Sequence, residues 1–168
     1  MASTPTRRRV LSALALFLAA LVAVGLYLFQ PWRAFTTVRV DETVVVAPDG
    51  GTARTIATGS FLSHEHSTSG TVTVTALPDG TVTLRLADLR TSDGPALRVW
   101  LSDQPVEPTG LGRNLDDGRH VDLGALKGNE GNQNYAVPAG TDLTELRTVT
   151  IWCERFAVSF GAAALTLA

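Results

Sequence analysis

The spacing of hydrophobic residues changes once along this chain, close to residue 32. Before that point an uncharged, mainly apolar block covers residues 10–29, and after it apolar and polar residues alternate. A helix of these 20 residues would span roughly 30 Å, the thickness of the hydrocarbon core of a bilayer. The block therefore predicts a single membrane-spanning helix over residues 10–30.

The charges next to this block predict its orientation. Three arginines occupy residues 7–9, and the next charged residue is Arg33. Because positive residues favour the cytoplasmic side, we expect residues 1–9 in the cytoplasm and the bulk of the chain outside. The competing interpretation is a cleaved signal peptide with small residues 23–25 at its cleavage site. The length of the block and its aromatic end favour an uncleaved anchor, and in both cases the following domain is exported.

Beyond residue 32 the alternation is typical of strands that bury one face. It covers residues 71–75, 81–86, 97–101, 120–126, 134–137, 148–153, 156–160 and 163–167. Pro78, Asp79 and Gly80 separate the first two runs and predict a hairpin, whereas residues 142–146 could form only one turn of helix. The predicted fold class is all-β, an antiparallel β-sandwich-like domain preceded by a single N-terminal transmembrane helix.

Residues 31–58 lie between the predicted helix and the main run of strands. Their apolar positions, at Val38, Val40 and residues 44–46, are too many for a free linker. We expect either a juxtamembrane stalk or one or two strands that extend the sheet. The main β domain is then expected over residues 59–168.

Charge and composition narrow the function. The chain has a net charge of −2, and because residues 1–30 hold three arginines and no acid, the remainder carries −5. An acidic domain binds phosphate backbones poorly, which argues against a nucleic-acid partner. Thirteen arginines against one lysine suggest a GC-rich bacterial genome. The sequence has no nucleophile elbow and no phosphate-binding glycine loop, so we do not expect an enzyme.

Two histidines form the first candidate site. His64 and His66 are two residues apart, so in an extended strand both rings would project from one face and could bind one ion. Cys153 as a third ligand would complete a nitrogen and sulfur set suited to copper or zinc. The alternative is that one histidine is solvated and the other hydrogen-bonds a turn.

Cys153 is the only cysteine and cannot form an intramolecular disulfide. In a strand its side chain would share a face with Ile151, and Trp152 would point the other way. If that face is the core, Cys153 is a small buried side chain with a raised pKa, and Trp152 needs a second packing surface. If the charged residues that follow mark the edge of the core, the thiol is available for redox chemistry or metal binding.

An unusual polar stretch covers residues 126–135. Its members Asn132, Gln133, Asn134 and Tyr135 combine amide donors and acceptors with neighbouring glycines, which predicts a binding loop. A tight turn held by its own side-chain bonds is the alternative interpretation.

Several motifs, in the right order, resemble the DM-thirteen domain. They lie at residues 59–61, 66–72, 94–102, 123–128, 131–135, 137–138 and 149–153. The resemblance covers about residues 59–168 and implies a compact β-sandwich-like domain, often called the electron-transfer DM-thirteen domain. The family's cysteine, proposed as a redox site, falls on Cys153 and its histidine on His66, whereas His64 has no clear counterpart. In animals the domain is commonly joined to a haem-binding domain, which this sequence does not contain.

Two functional hypotheses follow. The first is a redox, electron-transfer or metal-binding module anchored at the outer face of a bacterial plasma membrane. It uses Cys153 with His66 as a neighbour, and a copper, zinc or haem partner is implied. The second is a non-catalytic binding or structural domain of the cell envelope, which recognises a partner through the predicted loop or through an exposed Trp100 or Trp152.

Overall fold

The computed structural model describes residues 5–47 and 51–168. Contacts divide the chain into a helical unit that ends at Trp32 and a β unit that begins at Arg33. The helix, α1, covers Pro5–Phe29 and is long and apolar enough to cross a membrane. It ends where Gln30 adopts a positive φ of 43° and Pro31 follows, because neither residue can continue a right-handed helix without strain.

Within the described residues, eleven β-strands follow the helix. They are β1 Arg39–Asp41, β2 Arg54–Ser60, β3 Leu62–Ser63, β4 Ser69–Ala76, β5 Val82–Arg90, β6 Leu97–Ser102, β7 His120–Ala125, β8 Glu130–Val137, β9 Thr148–Cys153, β10 Val158–Ala164 and β11 Thr166–Leu167. The predicted hairpin joins β4 to β5, and Gly80 takes the positive φ of 85° that its turn requires.

The strands form two sheets. The six-stranded sheet has the order β1-β8-β5-β4-β2-β11, and the five-stranded sheet has the order β3-β10-β9-β6-β7. Every neighbouring pair is antiparallel except β1 and β8. The predicted fold class, an antiparallel β-sandwich-like domain after one N-terminal helix, is confirmed.

A single core joins the two sheets. Alternate residues of the longer strands point into it, as the period of two requires, and each fully buried aliphatic side chain contributes about 1.5–3 kcal/mol to stability. The core includes Val72, Val74, Leu84 and Leu86 from the six-stranded sheet and Val99, Leu101, Val149 and Ile151 from the five-stranded sheet.

The outer face of the five-stranded sheet is also covered. A second buried cluster contains Trp100, Trp152 and Ala162 from the sheet and Leu115 from the segment between β6 and β7. A short 3-10 helix, Arg113–Asp116, brings Leu115 over the two indoles. This confirms the expectation that Trp152 needs a second packing surface.

Some predicted runs have other bounds in the structure, and the segment before the main domain forms strands, which is one of its two predicted alternatives. The run at residues 156–160 begins only at Val158, because residues 154–157 form the turn that connects β9 to β10. The run at residues 163–167 is divided between β10 and β11, so the chain crosses from one sheet to the other near Leu165. Between the helix and the main domain, β1 and β2 both add to the six-stranded sheet.

We predict that Gly131→Ala weakens the domain more than Gly140→Ala. Both glycines have a positive φ, so both variants should lose about 1–3 kcal/mol to backbone strain. At Gly131 a Cβ would also lie 2.0 Å from the Val40 carbonyl oxygen, whereas at Gly140 nothing lies within 4 Å. The free energy of unfolding, from urea titrations of the full chain in detergent, measures the difference. Equal losses would show that β1 does not depend on this close approach.

Candidate functional site

Cys153 is the last residue of β9, and its position follows from the strand pairing. Leu97 of β6 flanks it on one side and Val158 of β10 on the other. Its side chain is fully buried in the main core. The next four residues form an exposed turn, closed by a hydrogen bond of 3.2 Å from the Phe156 amide to the Cys153 carbonyl. The sulfur therefore lies inside the core at the point where the chain reaches the surface.

The surroundings of Cys153 favour a neutral thiol. Its Sγ donates to the Pro95 carbonyl oxygen at 3.2 Å. Burial raises the pKa of the thiol, and the Phe156 and Arg155 backbone amides, with the Arg155 charge, only partly oppose this shift. Since the thiolate is the nucleophilic form, Cys153 is a weak nucleophile at neutral pH.

His66 lies against a different side chain. Its ring packs on the Phe160 ring with a centroid distance of 3.8 Å, and its Nδ1 is 3.1 Å from the Ser92 hydroxyl. Burial lowers the pKa of His66, and the nearby Glu65 carboxylate opposes this shift to a smaller extent. The ring is therefore a neutral, packed imidazole at pH 7.

The segment of residues 92–96 contacts both candidates. Ser92 hydrogen-bonds His66, and Pro95 accepts the hydrogen bond from Cys153. Gly94 packs against the ring of Phe160, and a Cβ added at Gly94 would lie 2.8 Å from that ring. Arg33 fixes the segment by donating to the Gly94 carbonyl at 2.6 Å. The structure thus places Cys153 and His66 beside one shared segment, each with its own partner.

His64 has a separate structural role. Its Nδ1 lies 2.8 Å from the Ser159 hydroxyl and its Nε2 lies 3.1 Å from the Glu107 carbonyl oxygen. The Ser159 amide also donates to the Leu111 carbonyl at 3.0 Å. These bonds hold the segment between β6 and β7 over the outer face of the sheet.

The two histidines do not share a face. Residues 64–66 form a bend rather than an extended strand, so the period of two does not apply to them. One ring is directed to Ser159 and Glu107, and the other to Ser92. Among the described residues no group of three or more histidine, cysteine, aspartate or glutamate side chains could hold a metal ion. The structure therefore does not assemble the predicted set of His64, His66 and Cys153.

The predicted binding loop is a strand. Asn132, Gln133, Asn134 and Tyr135 lie in β8, and their polar groups bond within the protein. Gln133 is fully buried, and its amide oxygen accepts from the Lys127 amide at 3.1 Å and from the Tyr135 hydroxyl at 2.8 Å. Burial raises the pKa of Tyr135 to about 12.

The two asparagines of β8 hold the neighbouring segment. Asn132 donates to the Asp41 carboxylate at 2.5 Å, and Asn134 donates to the Thr43 carbonyl at 2.8 Å. These amides hold the edge strand β1 and the residues that follow it, which explains why residues 132–135 resemble a recognition loop in sequence. This corrects the assignment of the stretch as a loop.

Sequence reasoning also missed a stack of three rings. Trp100 and Trp152 are not exposed, since they retain only 7% and 2% of their accessible surface. Their rings stack at 5.1 Å, and the His120 ring stacks on Trp100 at 4.1 Å. The positions of the two tryptophans in their strands were the available signal. Both alternate with the aliphatic core residues and so occupy the opposite face of the sheet. No signal along the chain pointed to His120.

The comparisons with known proteins give one match. The family model described as "Electron transfer DM13" matches residues 60–165, which is more than half of the chain. Neither the curated proteins nor the solved structures include a match.

We predict that the Cys153 thiol makes stability depend on pH above neutrality. The unfolded thiol ionises near pH 8.5, whereas burial keeps the folded thiol protonated to higher pH. The stability of the wild type relative to Cys153→Ala should therefore be constant below about pH 8 and fall by up to about 1.4 kcal/mol per pH unit above it. Urea titrations are limited to about pH 9.5, because above that pH Tyr135 would also ionise in the unfolded chain. A constant difference would contradict a raised pKa.

We predict that His64→Ala loosens the segment between β6 and β7. The variant removes both the Ser159 and the Glu107 hydrogen bonds, and at about 0.5–1.5 kcal/mol for each bond it should cost about 1–3 kcal/mol. Amide hydrogen exchange should accelerate at residues 103–118. His66→Ala is the control, because His66 bonds Ser92 instead. Equal acceleration in both variants would show that His64 has no particular role there.

Proposed function

This chain belongs to the electron transfer DM13 family, and we propose that it is a membrane-anchored one-electron redox module whose redox-active side chain is Cys153. The family supports the electron-transfer role. The position of its only thiol, just inside the surface, supports the choice of Cys153. In this role the protein is an electron carrier rather than an enzyme.

The burial of Cys153 is the observation that carries the proposal. Thiol exchange requires a thiolate and an open line of approach to the sulfur. Here the thiol is neutral, fully buried and hydrogen-bonded to Pro95. Electron tunnelling needs neither contact nor a thiolate, only a short distance to the partner. Cys153 is therefore better suited to electron transfer than to exchange or metal binding.

The proposed step is a one-electron oxidation of the thiol. Cys153 gives one electron to a high-potential acceptor, a haem or copper centre carried by a partner protein. The S–H bond breaks, the proton goes to water beside the exposed turn at residues 154–157, and a thiyl radical remains. The reverse step, with one electron from a donor and one proton from water, restores the thiol.

His66 is a positioning residue in this proposal. It packs on Phe160 and bonds Ser92, and it thereby supports the segment whose Pro95 carbonyl holds the thiol. It makes no direct contribution to the electron step.

The membrane location is part of the same proposal. Helix α1 is long and apolar enough to act as an anchor, and the arginines at residues 7–9 support a cytoplasmic N-terminus. The β domain then lies at the outer face of the plasma membrane, and the arginine-rich composition supports a bacterial origin.

No observation favours the alternative of a binding domain. It depended on free amides in residues 132–135 or on exposed indoles. The amides bond within the protein and the indoles are buried.

Voltammetry of the full-length protein in detergent tests the proposal. The wild type should give a one-electron wave that shifts by about 59 mV per pH unit below the thiol pKa, because a proton leaves with the electron. Cys153→Ser should abolish the wave of the thiol and leave only the oxidation of the aromatic side chains, although its hydroxyl can still donate to Pro95. Thr109→Ala, at an exposed position, is the control and should leave the wave unchanged. An unchanged wave in Cys153→Ser would refute the role of the thiol.

A further inference from the structure

The outer face of the five-stranded sheet carries a continuous row of stacked rings. Trp152 of β9, Trp100 of β6 and His120 of β7 lie on adjacent strands, with centroid separations of 5.1 and 4.1 Å. Their planes are inclined by only 22° and 13°. Exposure rises along the row, from 2% at Trp152 and 7% at Trp100 to an exposed His120. The row thus leads from the interior to the surface.

The inner end of this row adjoins the thiol. Trp152 and Cys153 are consecutive residues of β9, with side chains on opposite faces of one strand. Only the backbone of these two residues separates the sulfur from the first indole. Because tunnelling rates fall steeply with distance, covalent bonds followed by stacked π systems form a favourable path for an electron.

Packing alone does not account for Trp100. Its indole Nε1 is buried, and no described residue accepts a hydrogen bond from it. Leaving a buried donor unpaired destabilises the fold, and a phenylalanine would fill much of the same space without this penalty. An oxidisable indole therefore occupies this position at a cost in stability.

The outer end of the row lies in a groove whose lining residues carry one net negative charge. His120 lines an open groove of about 660 Å³, formed by residues 118–121, 138–142, 145 and 146. The groove is lined by Asp142, Glu145 and a single arginine, Arg119, which is paired with Glu145 and Asp103. This excess of negative charge suits a partner with basic residues around its metal centre.

We propose that Trp152, Trp100 and His120 form the path by which an electron passes between Cys153 and a basic one-electron acceptor protein docked at His120. This inference rests on the proposed function of Cys153. The thiol loses one electron through the row to the oxidised metal centre and its proton to water at the turn. The metal centre is reduced by one electron, and reversal restores both partners.

Rapid mixing of the full-length protein with tris(2,2′-bipyridine)ruthenium(III), a cationic one-electron oxidant that suits the acidic groove, tests the path. The variants of the row are made in a Trp32→Phe background, which removes the exposed indole outside the row. Loss of an electron from Cys153 is followed by stopped-flow absorbance, as the reduction of the oxidant beyond that seen with the matched Cys153→Ala protein. Trp100→Phe and His120→Ala should each slow this loss at least tenfold. Trp32→Phe alone should match the wild type.

Freeze-quenched samples supply a readout that a structural defect would not produce. In Cys153→Ala a tryptophan radical should accumulate and persist in the electron paramagnetic resonance spectrum, because its electron donor is absent. Trp100→Phe in the same protein should remove that signal. His120→Ala, at an exposed position, serves as the second test if Trp100→Phe unfolds, as judged by circular dichroism.

The outcomes separate the two proposals. Oxidation of Cys153 at the wild-type rate in both Trp100→Phe and His120→Ala would overturn the path and leave the redox role of the thiol in place. A Cys153 thiol that resists the oxidant in the folded wild type would overturn both.

Discussion

Strand β9 is buried on both of its faces, and the candidate site depends on this constraint. β9 is the central strand of the five-stranded sheet, so its inner face meets the main core and its outer face meets the segment between β6 and β7. Consecutive residues of a strand point in opposite directions. One strand end therefore places a thiol in one buried cluster and an indole in the other.

Double burial also determines the chemistry that Cys153 can perform. A thiol in an apolar core with a carbonyl acceptor stays protonated, because the charged form loses its hydration. Reagents that need direct contact with the sulfur are excluded by the same packing. A role in electron transfer is compatible with these conditions, since an electron can cross a packed protein interior where a nucleophile cannot.

The shared segment of residues 92–96 connects the parts of the site. It contacts Cys153 through Pro95 and His66 through Ser92, and Arg33 and Thr36 hold its Asp93 from the start of the β domain. Ala96 adopts a positive φ of 59°, which turns the chain into β6. The geometry around the thiol is therefore set by a loop that several elements restrain.

The predictable part of this protein is the part controlled by local periodicity. The run at residues 148–153 is β9 as predicted, and the Pro78-Asp79-Gly80 turn is a hairpin, because alternation and turn chemistry act over a few residues. The same alternation does not apply to His64 and His66, because these residues lie in a bend and not in an extended strand. The composition of β8 predicted a binding loop, and that prediction is wrong because its amides bond to buried groups and to the edge strand instead of to a ligand.

By itself, the sequence determined the apolar helix, the all-β class, the strand faces and the single thiol. Each of these follows from residue spacing or residue identity. Only the tertiary structure decided that the indoles are covered, that His120 stacks on Trp100 and that Cys153 and His66 share one supporting segment. The reason is physical: strand order and loop packing bring together residues far apart along the chain, and no local pattern records which distant segment covers which face.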